Sequence, residues 1–167
     1  MRHPSTIVRT ALALLLGGLL AAPATAAAQE AAPTATPERA GRQLIDLGTL
    51  GGLTSDATDI NYHSQVVGVS MTAAGDAHAF LWAGGHMRDL GTLGGSTSVA
   101  QAINDHGRVV GTSTTAAGET HAFDWANGRM RDLGLAAYAT ANDINNHGWV
   151  VGASDDAGGE FHAVLWR

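Results

Sequence analysis

A chain of 167 residues with 22 glycines, 14% charged side chains and no cysteine must be held together by packing and tight turns. Disulfides, thiolate metal sites and a cysteine nucleophile are excluded. The formal net charge is −6, lysine is absent and the arginines are scattered along the chain, which argues against nucleic acid or an anionic membrane surface as a partner.

The first segment reads as an address. Arg2 and Arg9 precede the apolar run Ala11 to Ala22, and Ala24-Thr25-Ala26 and Ala26-Ala27-Ala28 offer small-residue cleavage sites. The run is too short to span a bilayer well, and the three-part order is that of a secretory leader. We therefore expect a signal peptide over 1–28, a secreted protein (extracellular or periplasmic), and no membrane association after cleavage. Residues 29–42, with Pro33, Pro37 and many Ala and Thr, read as a flexible linker. Residues 43–167 read as one β-repeat domain with room for a modest core.

The dominant feature of this domain is a period of 43 residues: Asp46-Leu47-Gly48-Thr49-Leu50-Gly51-Gly52 recurs at Asp89 to Gly95 and, shortened, at Asp132-Leu133-Gly134. Asp59-Ile60-Asn61, Ala102-Ile103-Asn104 and Asp143-Ile144-Asn145 align, as do the Val-Val-Gly triplets ending at Gly68, Gly111 and Gly152. His78-Ala79-Phe80-Leu81-Trp82, His121-Ala122-Phe123-Asp124-Trp125 and His162-Ala163-Val164-Leu165-Trp166 complete the set. The repeats run 46–88, 89–131 and 132–167, each unit burying its faces against its neighbours.

Each unit divides into four short strands, in the first near Ala57–Asn61, Gln65–Ser70, Ala77–Trp82 and Met87–Leu90, separated by turns. Asn104-Asp105-His106-Gly107 and Asn145-Asn146-His147-Gly148 are hairpin turns in which Asx bonds the backbone and Gly supplies a positive φ. In the first unit Ser64 takes the glycine position. Alternation along the third strand puts His78, Phe80 and Trp82 on one face and Ala79 and Leu81 on the other. Because Asp124 replaces Leu81 in the second unit, the Ala-Leu face is expected to be partly wet. The face with the histidine, phenylalanine and tryptophan then becomes the inter-unit core.

The expected fold is all-β, with three tandem four-stranded units resembling β-propeller blades, in an open array or a ring completed by oligomerisation. A β-trefoil-like arrangement is the alternative. The His-Ala-Phe motif with Asp-Leu-Gly-Thr-Leu-Gly-Gly resembles the HAF repeat of extracellular bacterial proteins, over about residues 44–167. That resemblance implies secretion and a propeller-like array, and it supplies no catalytic residues. The third unit departs from the pattern, with Leu135-Ala136-Ala137 shortening its loop and Val164 in place of Phe. Its last strand stops at Trp166-Arg167, whereas Gln43 to Gly48 matches a fourth strand, so the N-terminal segment could zip a ring.

The chemistry on offer is thin. His63, His106 and His147 recur in the first turn of each unit and, with Asp105 and Asn146, form a possible ligand rim; metal binding by this set is the minor reading. His78, His121 and His162, with Trp82, Trp125 and Trp166, are read as structural repeat residues, the histidines bonding backbone or Ser70, Ser113 and Ser154. Asp155 to Glu160 carries oxygen ligands without the alternation of a calcium loop and reads as a solvated hairpin tip. Asp59 and Asp143 read as turn and cap residues. No nucleophile elbow, zinc-protease motif or phosphate loop occurs. We therefore expect no enzyme, no cofactor and no metal, but a non-catalytic binding or structural module for an unknown protein or glycan, with homo-oligomerisation possible. An envelope hydrolase or lyase using rim Asp and His is the alternative.

Overall fold

A computed structural model describes residues 42–134, 137–156 and 158–167. The leader, nearly all of the linker, and Leu135 and Ala136 of the shortened loop lie outside them. The described residues form strands and turns with no helix. The first unit contains β1 (Gly51–Ile60), β2 (Val66–Thr72), β3 (Ala77–Ala83) and β4 (His86–Asp89). The second contains β5 (Gly94–Ile103), β6 (Val109–Thr115), β7 (Thr120–Ala126) and β8 (Arg129–Asp132), and the third β9 (Ala139–Ile144), β10 (Val150–Asp155) and β11 (Phe161–Trp166).

Within each unit consecutive strands pair antiparallel. One parallel pair, Ala77 with Thr97, merges the first two units into an eight-stranded sheet, and the third is a separate three-stranded sheet. No barrel or ring closes among the described residues. The expected strands are found in the first two units, where β1 and β5 begin earlier, at Gly51 and Gly94, whereas the third unit has three strands among the described residues in place of the four expected. The expected zip by the N-terminal segment is not made by residues 42–49, which carry no strand, and among the described residues β11 pairs with β10 alone.

Local chemistry explains the turns. Asn61 Oδ1 accepts the N–H groups of His63 and Gln65, both at 3.0 Å. Asn104 does the same for His106 and Arg108, and Asn145 for His147 and Trp149. The chain then reverses through a left-handed residue, Gly107 at φ 74° and Gly148 at φ 81°. Ser64 holds the same conformation at φ 58°, which costs a residue with a Cβ about 1 kcal/mol. Ser64→Gly is therefore expected to stabilise the protein by roughly that amount, less the entropy glycine loses on folding. A higher urea midpoint at constant m would be the readout.

The core lies between units, and it pairs unlike faces. Val67, Ala79 and Leu81 of the first unit join Val109, Phe123 and Trp125 of the second in one buried cluster. Val110 and Ala122 of the second join Ala139, Ala141, Ile144 and Val150 of the third. Each fully buried Val or Phe contributes about 1.5–3 kcal/mol. The expectation of a partly wet Ala-Leu face is thus corrected: Ala79 and Ala122 are completely buried, and Asp124 is buried with them. Polar rungs tie the same junctions, with Ala79 N donating to Ser98 Oγ at 2.8 Å, Asn61 Nδ2 to Asn104 O at 3.0 Å and Asn104 Nδ2 to Asn145 O at 3.1 Å.

Candidate functional site

The first-turn residues form a ladder along one end of the units. Tyr62 N donates to Asp105 Oδ1 at 2.9 Å, Asp105 N to Asn146 Oδ1 at 3.0 Å, and Asn146 Nδ2 to Asp105 Oδ2 at 2.7 Å. Two members of the expected ligand rim, Asp105 and Asn146, are thereby engaged in joining units. The Tyr62 N–H, then the Asn146 amide, hold the Asp105 carboxyl below its ordinary range, with His63 and His106 nearby adding to the effect. His63, His106 and His147 are exposed.

The third-strand histidines find different partners from those expected. His78 Nδ1 lies 2.8 Å from Asp89 Oδ2, and His121 Nδ1 2.7 Å from Asp132 Oδ2. The serines are occupied elsewhere: Ser70 Oγ accepts from Leu50 N and Ser113 Oγ from Leu93 N, both at 2.9 Å. The strand pairing explains the exchange, because Phe80 sits opposite Asp89 and Phe123 opposite Asp132, which brings each carboxylate beside the histidine. His162 has no such carboxylate. It is 60% exposed, with Nε2 3.4 Å from Asp156 Oδ2. Of the tryptophans, Trp125 is buried, and Trp166 Nε1 donates to Leu133 O at 3.1 Å.

The hairpin tip near β11 gathers Asp156, Glu160 and His162, whose ligand atoms lie within 4.8 Å of one another on the surface. The Glu160 and Gly158 N–H groups, then His162, hold the Asp156 carboxyl below its usual range. A turn in which a carboxylate binds two backbone N–H groups accounts for this arrangement.

The most distinctive site is one that sequence reasoning missed. Arg108 and Asp124 form a two-pronged ion pair, Nε to Oδ1 at 3.1 Å and Nη2 to Oδ2 at 2.9 Å, in which the carboxylate is buried and the guanidinium is about a third exposed. Arg88 reaches across from the first unit and stacks over the Trp125 ring, its Cζ 5.1 Å from the centroid. Two open grooves of about 520 and 580 Å³ meet at Arg108. The first is lined by Gln65, Arg88, His106 and Trp125, the second by Asp124, Arg129 and Arg131. The arginines scattered along the sequence are brought together, because Arg88 of the first unit and Arg129 and Arg131 of the second line two grooves that both include Arg108.

A signal for this site was present. Gln65 and Leu81 of the first unit become Arg108 and Asp124 in the second. Two positions therefore depart together in one repeat, with opposite charges. Comparison with family models, with curated proteins and with solved structures returns no match.

Proposed function

We propose that this protein is an exported, non-catalytic binding module of the HAF-repeat type, built of blade-like units. Its contact surface is the pair of arginine-lined grooves that meet at Arg108, one between the first two units and one on the second unit. The carrying observation is the convergence of Arg88, Arg108, Arg129 and Arg131 on adjoining grooves of a chain whose net charge is −6. Guanidinium forks match carboxylates in geometry and charge. Trp125 is buried beneath Arg88, so the groove offers cations and hydrogen-bond donors rather than a bare aromatic platform.

The ligand class this favours is a carboxylate-bearing glycan. Leader and repeat motif support export. Calorimetric titration with polygalacturonate, and with neutral dextran as control, tests the reading. Binding to the acidic polymer is expected, weakening as salt rises and lost in the Arg129→Gln/Arg131→Gln variant. These two arginines are exposed and outside the buried pair, so the variant should fold. Equal binding of dextran, or no effect of the double substitution, would overturn the proposal.

A further inference from the structure

We propose that two copies of this chain join head to tail, the segment Leu44–Gly48 of one copy adding to the open edge of β11 in the other as a fourth strand. The inference rests on the repeat register and is independent of the groove reading.

In the first two units the third strand is flanked on its far side by β4 or β8, with Leu81 opposite Arg88, Trp82 opposite Met87 and Asp124 opposite Arg131. Leu90 N donates to Ala79 O at 3.0 Å, and Leu133 N to Ala122 O at 2.9 Å. Antiparallel alternation then makes Leu81 and Arg88 a hydrogen-bonded pair. The equivalent edge groups of β11, on Ala163 and Leu165, have no strand beside them among the described residues. An open edge of this kind is a template for an extended segment.

The chain also carries a segment that fits this edge. Leu44-Ile45-Asp46-Leu47-Gly48 is in register with Met87-Arg88-Asp89-Leu90-Gly91, yet Leu44 is 86% and Ile45 57% exposed. The end of the segment is already shaped. Asp46 Oδ1 accepts Gly48 N at 2.9 Å, as Asp89 accepts Gly91 N at 2.7 Å and Asp132 accepts Gly134 N at 2.8 Å. Ser55 Oγ donates to Gly48 O at 2.7 Å, as Ser98 Oγ donates to Gly91 O at 2.6 Å. Docking would place Asp46 Oδ2 beside His162, the one third-strand histidine without the partner that His78 and His121 have.

The broad faces match in the same register. Ile60 is 60% exposed where Ile103 and Ile144 are 6%, and Val151 is 46% exposed where Val67 and Val110 are fully buried. Stacking the first unit of one copy on the third of another buries both, and brings Ala163 N to Ser55 Oγ as Ala79 N meets Ser98 Oγ. One rung of the turn ladder has no counterpart, because Tyr62 stands where Asp105 and Asn146 supply the acceptor. Two copies joined reciprocally would close six units, within the four to eight blades of propellers.

The chain has no cysteine, so engineered thiols report without background. Ile45→Cys and Leu165→Cys, each in a separate preparation expressed with its own N-terminus, are mixed under mild oxidation. Both positions are exposed, and paired strand residues about 5.5 Å apart fall inside the disulfide range. The expected result is a mixed disulfide between the two variants, several-fold above either homodisulfide. The unmodified chain should show a native mass of two chains. Ile45→Pro, which removes the strand N–H, should return the mass to one chain with an unchanged circular dichroism spectrum. A one-chain mass at the highest soluble concentration, or a bridge within one chain in the Ile45→Cys/Leu165→Cys double variant, overturns the proposal. Should the proline variant misfold, the mixed-disulfide yield decides alone.

Discussion

Arg108→Gln is expected to destabilise the protein by about 3 kcal/mol at neutral pH, because it strands the Asp124 carboxylate without its partner in a buried site. The carboxylate faces the cluster that joins the second and third units and, among the described residues, has no other cation bound to it. The informative comparison is the double variant Arg108→Gln/Asp124→Leu, which rebuilds in the second unit the Gln65 and Leu81 of the first. It should recover stability to within about 1 kcal/mol of the unmodified protein, since a buried ion pair and a well-packed apolar replacement are often near equal. Asp124→Leu alone should cost less than Arg108→Gln, because Arg108 is already about a third exposed and can turn to water. Urea midpoints with unchanged m separate these cases. A double variant as unstable as Arg108→Gln would mean that the pair is not where the energy resides.

Gly111→Ala should be at least as damaging, with a loss of about 3 kcal/mol, the upper end of ordinary overpacking. An added Cβ would collide with the Val99 carbonyl and lie 2.9 Å from Ala100 Cα and 3.0 Å from Phe123 Cε1. Two of those obstacles are backbone of β5, where the ladder shifts register between Ala100 and Ala102. The third is the edge of a fully buried ring. None can swing away. The same close approach recurs at Gly68 against β1 and Phe80, and at Gly152 against β9, so this glycine of the Val-Val-Gly triplet is a packing requirement. A thermal melt within a degree or two of the unmodified protein would refute the account.

Recurrence of Asp-Leu-Gly also acquires a physical reason. The aspartate uses one oxygen to close its own turn onto the glycine N–H and the other to hold a histidine eleven residues earlier. By sequence the serine directly opposite the histidine is the natural partner, and it is the Cα partner: Ser70 faces His78 and Ser113 faces His121. The carboxylate wins because it lies on the strand beyond, and an ionised acceptor makes the stronger bond to imidazole.

The order of residues settles the local features unaided. The period of 43 residues, the strands of each unit and the Asn-led turns, including the strained Ser64, follow from alternation and from side chains bonding their own backbone two and four residues on. Such interactions need no knowledge of the neighbours. Folding in three dimensions was needed to show which faces meet, why Asp124 is buried, where four arginines converge and which edge and faces are left open. Those outcomes depend on residues about 40 positions apart, whose juxtaposition is set by the offset with which one sheet stacks on the next. Alternation along a single strand carries no information about that offset.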